Sequence, residues 1–191
     1  MAKAVQARTL ITRAKLLDAA QELVSKSNYE SLRVEEIVLK AGVAKGTFFS
    51  HFKDKDALLD QLLGAEIDQC LDDLEQASVP KTVEDISAAL IPLMNCMSQE
   101  RYVFDVVFRY SGAGAETEIG AIATTFGRQI QVLSAWAKSP DWAFRTDISA
   151  DLVAEGMQAF IMQVIGLKFC ALHSGMGPEE RLAHYLRAWL K

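Results

Sequence analysis

The sequence predicts an all-α protein, an N-terminal three-helix helix-turn-helix head followed by a larger helical body, and three observations carry that prediction. Apolar residues recur at three- and four-residue steps along nearly the whole chain. Strand-like alternation bounded by turn residues is absent. Val34 to Leu62 reads as two short helices broken at Ala41-Gly42-Val43 and followed by a third. With 191 residues, half of them hydrophobic, the chain can bury a substantial core in one large domain or in one small and one medium. About nine helices are expected, in a head of residues 1–53 and a body of residues 54–191 whose first segment, 54–77, connects the two.

Taken in order, Thr9 to about Ser27 places Leu10, Ala14, Leu17, Ala20, Leu23 and Val24 on one helical face, able to cover the inner side of the motif that follows. Val34, Ile37, Val38 and Ala41 form the buried stripe of the next helix. Gly42 ends it, because glycine adopts the left-handed conformation common at helix C-termini without steric cost. A further helix starts near Ala44, with Phe48 and Phe52 pointing inward, Gly46, Ser50 and Lys53 roughly opposite, and Thr47 and Phe49 on the flanks. Asp54 is a suitable N-cap for a long helix running to Gln76. Ser78-Val79-Pro80-Lys81 breaks it, Thr82 with Asp85 opens the next helix, and Pro92 is expected to kink or shorten that one. Breaks at Gly112 to Gly114, Ser139-Pro140-Asp141 and His173 to Pro178 leave helices near 101–111, 116–137, 148–172 and 178–190.

The outward side of the helix near Ala44 is small and polar, with Lys45 and Lys53 at its ends and no acidic residue between. Such a helix can enter the major groove with its N-terminal residues at the base edges. Lys45 is the best base reader. Gly46 lets backbone approach the duplex, the Thr47 and Ser50 hydroxyls can bond phosphate or base, Phe49 can pack on a thymine methyl or a sugar, and Lys53 and Lys55 suit phosphate. The competing reading is that the three phenylalanines are ordinary core and the lysines a solvated face. Charge favours the first: residues 1–53 carry nine Lys and Arg against five Asp and Glu, whereas residues 54–191 carry 11 against 20. The acidic pI of 5.3 therefore hides a basic head, and clustering of positive charge is the footprint of nucleic-acid binding.

No window comes near the ~18 apolar residues of a membrane span, and MAKAVQARTLITRAK lacks the apolar run of a secretory signal, so a cytoplasmic protein without membrane contact is expected. Cys70, Cys96 and Cys170 are widely spaced and odd in number, which fits reduced buried thiols better than a disulfide framework. His51, His173 and His184 form no metal-ligand pattern. Neither a metal nor a cofactor is expected, and no nucleophile-base-orienter pattern or phosphate loop points to an enzyme. A small α-helical enzyme or ligand-binding protein without DNA recognition is the alternative from another class.

Leu10 to Leu63 resembles the tetracycline-repressor-like (TetR) transcriptional regulators. The carriers are Ile37 with Ala41-Gly42-Val43, the helix start Lys45-Gly46-Thr47-Phe48-Phe49, and the junction His51-Phe52-Lys53-Asp54-Lys55-Asp56-Ala57-Leu58. Beyond Leu63 the likeness is one of length, helical character and order of breaks. The resemblance implies a homodimer whose two heads read a near-palindromic double-stranded operator, a repressor released by a small, largely apolar effector held in the body, and DNA contacts at Lys45, Gly46, Thr47, Phe49, Ser50 and His51, with a backbone contact at Lys55. Three residues depart from the family's pattern. Phe49 stands where tyrosine is common, Ala44 where Ser or Thr usually caps, and Glu35 where Arg is frequent; Glu35 and Glu36 suit a helix N-terminus but repel phosphate if they face it.

In the body, Phe104, Phe108, Arg109, Phe126, Met157 and Phe160 are the candidate effector contacts. Most aromatics there serve as core, and Arg109 either clamps an anion or pairs with Asp105 four residues earlier. Val153, Val164 and Leu167, with Leu182, Tyr185, Leu186 and Trp189, form two apolar stripes. By the resemblance these pair with their copies in a second subunit as a four-helix bundle, with Gly156 and Ala159 permitting close approach.

Overall fold

The computed structural model describes residues 2–112, 119–170 and 175–191, with side chains from residue 7 onward. Nine helices occupy the described residues: α1 (Ala2–Val24), α2 (Val34–Ala41), α3 (Lys45–His51), α4 (Lys55–Gln76), α5 (Val83–Met97), α6 (Arg101–Ser111), α7 (Ala121–Lys138), α8 (Ala150–Lys168) and α9 (Pro178–Trp189). Parts of the expected breaks at Gly112 to Gly114 and His173 to Pro178, and His173 itself, lie outside the described residues. The first helix starts and ends earlier than its apolar spacing suggests. Pro92 does not shorten α5, which runs through it to Met97.

The chain divides into two compact units, Met1–Leu62 and Leu63–Lys191. The boundary falls inside α4, whose Leu58 and Leu59 in the first unit are fully buried. Counted to Leu62 the head also gains Asp54, Asp56 and Asp60 against Lys55 alone, so its positive excess is smaller than the division at 53 implies.

Within the head α1 packs on α2 and α2 on α3, around Leu16, Ala20, Leu32, Ile37 and Phe48. Gly42 is left-handed (φ 67°), its N–H reaches Leu39 O, and the Val43 N–H bonds Val38 O at 3.0 Å, a closure that satisfies the last carbonyls of α2. Asp54 caps α4 by accepting the Ala57 N–H at 2.7 Å.

Within the body α7 lies on α8, and α9 packs on both α5 and α8. Thr82 and Asp85 form the reciprocal cap of α5, at 3.1 and 3.0 Å. Arg128 on α7 holds Asp68, Asp72 and Glu75 on one face of α4 at 2.6 to 2.7 Å, and their carboxylates push the guanidinium pKa up. Gly64 of α4 allows that approach: a Cβ there would lie 2.6 Å from Ala121 Cβ and 2.9 Å from its backbone carbonyl carbon. By length and composition α8 could cross a membrane, contrary to the expectation that no segment comes close. Its Val153, Ala154, Met157, Ile161, Val164 and Ile165 are nonetheless buried inside the body, as in a core helix.

Candidate nucleic-acid interface

The seven residues of α3 divide sharply into two sides. Phe48 is fully buried, with Phe52 just beyond the helix also buried, and their rings meet at 5.6 Å. Arg13 of α1 locks this inner side: its guanidinium lies 4.3 Å from the Phe52 ring centroid and donates to the His51 carbonyl at 3.0 Å. That contact was not legible in the sequence, since Arg13 sits 38 residues away on a different helix. Outward, Lys45, Gly46, Phe49, Ser50 and Lys53 are exposed, while Thr47 and His51 are half-buried flanks. Phe49 meets the buried Phe48 ring edge-on at 5.3 Å, yet leaves 49% of its surface in solvent. Ala44 caps α3 with no side-chain bond, as its methyl dictates.

Gly46 carries the strongest argument about this surface. Nothing lies within 4 Å of where its Cβ would stand, and its φ is not in the left-handed region. Glycine weakens a helix by roughly 0.5–1 kcal/mol relative to alanine. The head itself gives no reason for that cost, whereas close backbone approach to an external partner does.

Lys45 is not idle in this state. Its ammonium bonds Glu35 at the start of α2 at 2.5 Å, and that bond holds the Glu35 carboxyl below the usual carboxylate range. Lys45, Glu35, Arg33, Phe49 and Lys55 border one shallow depression between the N-terminus of α2 and α3. Lys55 has partners within the head as well. Its Nζ donates to the Tyr29 and Glu30 carbonyls at 3.2 and 3.1 Å, so it fastens the segment before α2 to the start of α4. Ser50 Oγ donates to its own helix at Thr47 O (2.7 Å), leaving its lone pairs outward.

The body's candidates do not gather into one site. Phe108 is 64% exposed and Arg109 is also on the surface, so neither lines an interior cavity; Asp105 accepts from Arg101 at 2.9 Å. Phe104 joins Phe108 and Phe169 in an outer aromatic cluster, with centroids 5.9 and 5.6 Å away. Phe160 stacks instead on Tyr185 and Trp189 of α9. Only Phe126 and Met157 are interior. The expected subunit interface divides likewise. Val153, Val164, Leu182 and Leu186 are consumed by the core of a single chain, being at most 1% exposed. Leu167, Tyr185 and Trp189 are half-covered, and exposed Leu152 and Ala159 lie on α8 beside the α8–α9 seam. Trp189 covers Gly156, donates to Val153 O at 3.3 Å and lies under Arg145, so it is tied into its own chain.

Among the described residues no group of three or more His, Cys, Asp or Glu side chains could hold a metal ion. Residues 16–62 match the family model for bacterial regulatory proteins of the tetR family. The HTH-type transcriptional regulator YvdT of Bacillus subtilis is 39% identical over 59 residues, a stretch that is 29% of this chain and spans only 30% of that regulator. Over nearly the full length the fold is shared with two solved structures. FadR of Thermus thermophilus, a TetR-family transcriptional repressor in complex with lauroyl-CoA, superposes with a TM-score of 0.64 at 18% identity, over 93% of this chain and 92% of that one. RolR in complex with resorcinol gives 0.67 at 17%, over 95% and 89%. The head thus matches the tetR-family model over residues 16–62, and the chain as a whole shares its fold with a solved TetR-family repressor.

Proposed function

We propose that the protein is a homodimeric, sequence-specific DNA-binding repressor, and that a small, largely apolar effector bound in the body releases it from its operator. The observation that carries the first half is the outer side of α3: a half-exposed Phe49 between two lysines, beside an uncrowded Gly46 for which nothing in the head accounts. In this reading Lys45 reaches a base edge, Thr47 and Ser50 bond phosphate or base, Phe49 packs on a methyl or sugar, His51 flanks the contact, and Lys53 meets phosphate. Lys55, which borders the same depression as Lys45 and Phe49, supports the head and contacts the DNA backbone. Two-fold DNA sites call for a two-fold protein, and the half-covered α8–α9 seam with Ala159 at its edge is the face assigned to the second copy.

For the effector, the interior between α7 and α8 supplies a polar handle. Gln129 is 2% exposed, its Oε1 accepts from Gln158 at 2.9 Å, and its Nε2 has no hydrogen-bond partner among the described residues. Gln158 also donates to the carbonyl of Phe126, and the Phe126 and Met157 side chains are buried. An unmet buried donor costs about 1–3 kcal/mol. An apolar effector carrying one acceptor would relieve that cost. The ligands of the two structural relatives, an acyl-CoA and a dihydroxybenzene, share an apolar part and oxygen acceptors. Two apolar-to-charged extremes on one fold leave the effector's size open to experiment, while an enzyme would need a reacting centre that no described cluster offers.

The test is selection of bound duplexes from a random DNA library, then a screen for small molecules that release the enriched site. The expected result is one enriched near-palindrome and a releasing ligand whose potency falls in Gln129→Leu without loss of DNA binding. A library that stays unenriched would favour a protein with no DNA recognition.

A further inference from the structure

Cys70 and Cys96 are 26 residues apart in sequence, on α4 and α5, yet their thiols hydrogen-bond each other. A second contact fixes the same neighbourhood. Gln99 Nε2 donates to Glu66 Oε2 at 3.2 Å and to the Cys96 carbonyl at 3.3 Å. Glu66 precedes Cys70 by one helical turn on α4, and Gln99 lies just past the end of α5, three residues after Cys96. The thiols therefore meet because the end of α5 is clamped beside α4. Both cysteines are unbridged and partly exposed, within reach of a small solute.

The two sulfurs are not equivalent. The hydrogen bond from Cys96 favours the Cys70 thiolate and brings its pKa below that of an ordinary thiol, although burial and the nearby Asp73 and Glu66 carboxylates oppose this. Cys96, bonded to Cys70 and more deeply buried, is held protonated. One thiol is set to attack and its neighbour to resolve, a division of labour that follows from thiolate chemistry.

We propose that Cys70 and Cys96 form a redox site in the body, a dithiol that a hydroperoxide oxidises to a disulfide bridging α4 and α5. The Cys70 thiolate attacks one peroxide oxygen, the O–O bond breaks, and Cys70 becomes a sulfenic acid while the other oxygen leaves and takes up a proton. The Cys96 sulfur then attacks the Cys70 sulfur, forming the S–S bond and expelling the sulfenic oxygen, which leaves as water with the Cys96 proton. Two thiols have been oxidised and one peroxide reduced to water, or to water and an alcohol. Closure brings the sulfurs from hydrogen-bond separation to a covalent ~2.05 Å, and exchange with a dithiol reductant reverses it. The site stands independently of DNA binding and of the effector.

The full-length protein is treated with hydrogen peroxide under native conditions, free thiols are blocked, and peptides are mapped by mass spectrometry, with circular dichroism confirming retained helix. The wild type and Cys170→Ser should each lose two titratable thiols, yield a linked peptide holding Cys70 and Cys96, and recover both thiols with reductant. Cys96→Ser should instead accumulate a sulfenic acid on Cys70 that dimedone traps. Oxidation of Cys170 while Cys70 and Cys96 stay reduced, or pairing of either with Cys170 or with another chain, would overturn the proposal.

Discussion

The head and the body use their aromatic residues in opposite ways. In the head, Phe48 and Phe52 fill the core while Phe49, between them in sequence, is left half in solvent on the same seven-residue helix. In the body, buried aromatics and aliphatics are spread over several helices, and half-covered rings meet others at several places, Phe104 with Phe169, Phe144 with Trp142, and Phe160 with Tyr185 and Trp189. A short helix must give one side to the core, so anything unexplained on its other side points to an external partner. Long helices packed on several neighbours give no such contrast, because a stripe that fills the core and a stripe that meets a second subunit have the same spacing.

Among substitutions, those on the head's inner side should cost most. Phe48→Ala should destabilise the head by about 3–5 kcal/mol, read as an early unfolding transition, whereas Phe49→Ala should stay within about 0.5 kcal/mol of the parent while losing DNA affinity. Equal destabilisation by both would remove the distinction between the two sides. In the body, Ala159→Arg places a charge at the exposed edge of the α8–α9 seam. Sedimentation should then report monomers, a loss of about 2 kcal/mol or more in association; a variant that remains dimeric with unchanged affinity places the interface elsewhere. Gly64→Val should cost about 1–3 kcal/mol, because the atoms its side chain would meet include backbone of α7 that cannot swing aside. The smallest and most discriminating effect is at Gly46. Gly46→Ala should leave the head as stable or raise its stability by up to about 1 kcal/mol in a urea melt, yet weaken DNA binding; an unchanged affinity would mean that nothing approaches that backbone.

Local chemistry was the legible part. The left-handed Gly42, the Asp54 cap and the Thr82–Asp85 box each depend on residues within a few positions, and each forms as its spacing dictates. The inward Phe48 and Phe52 follow from helical period alone. What stayed hidden needed partners distant in sequence. Nothing in the position of Lys55 announces that it also holds the Tyr29 and Glu30 carbonyls, and nothing in the spacing of Glu35 announces that it holds Lys45. Val153, Val164, Leu182 and Leu186 read as interface because periodicity records burial, not whose surface does the burying. Cys70 and Cys96 read as isolated thiols for the same reason as Lys55: only the packing of α4 beside α5 joins them.

In the proposed function the open side of α3 reads DNA sequence, with Lys45 released from Glu35 to do so. The most direct measurement is the affinity of Lys45→Ala, against the parent and Lys53→Ala, for the selected operator and for random duplex across a salt series. Lys45→Ala should lose about 1–3 kcal/mol of preference for the operator, confined to one base pair in each half-site. Lys53→Ala should weaken both duplexes alike and flatten the salt dependence. Equal losses on operator and random DNA for Lys45→Ala would contradict the claim.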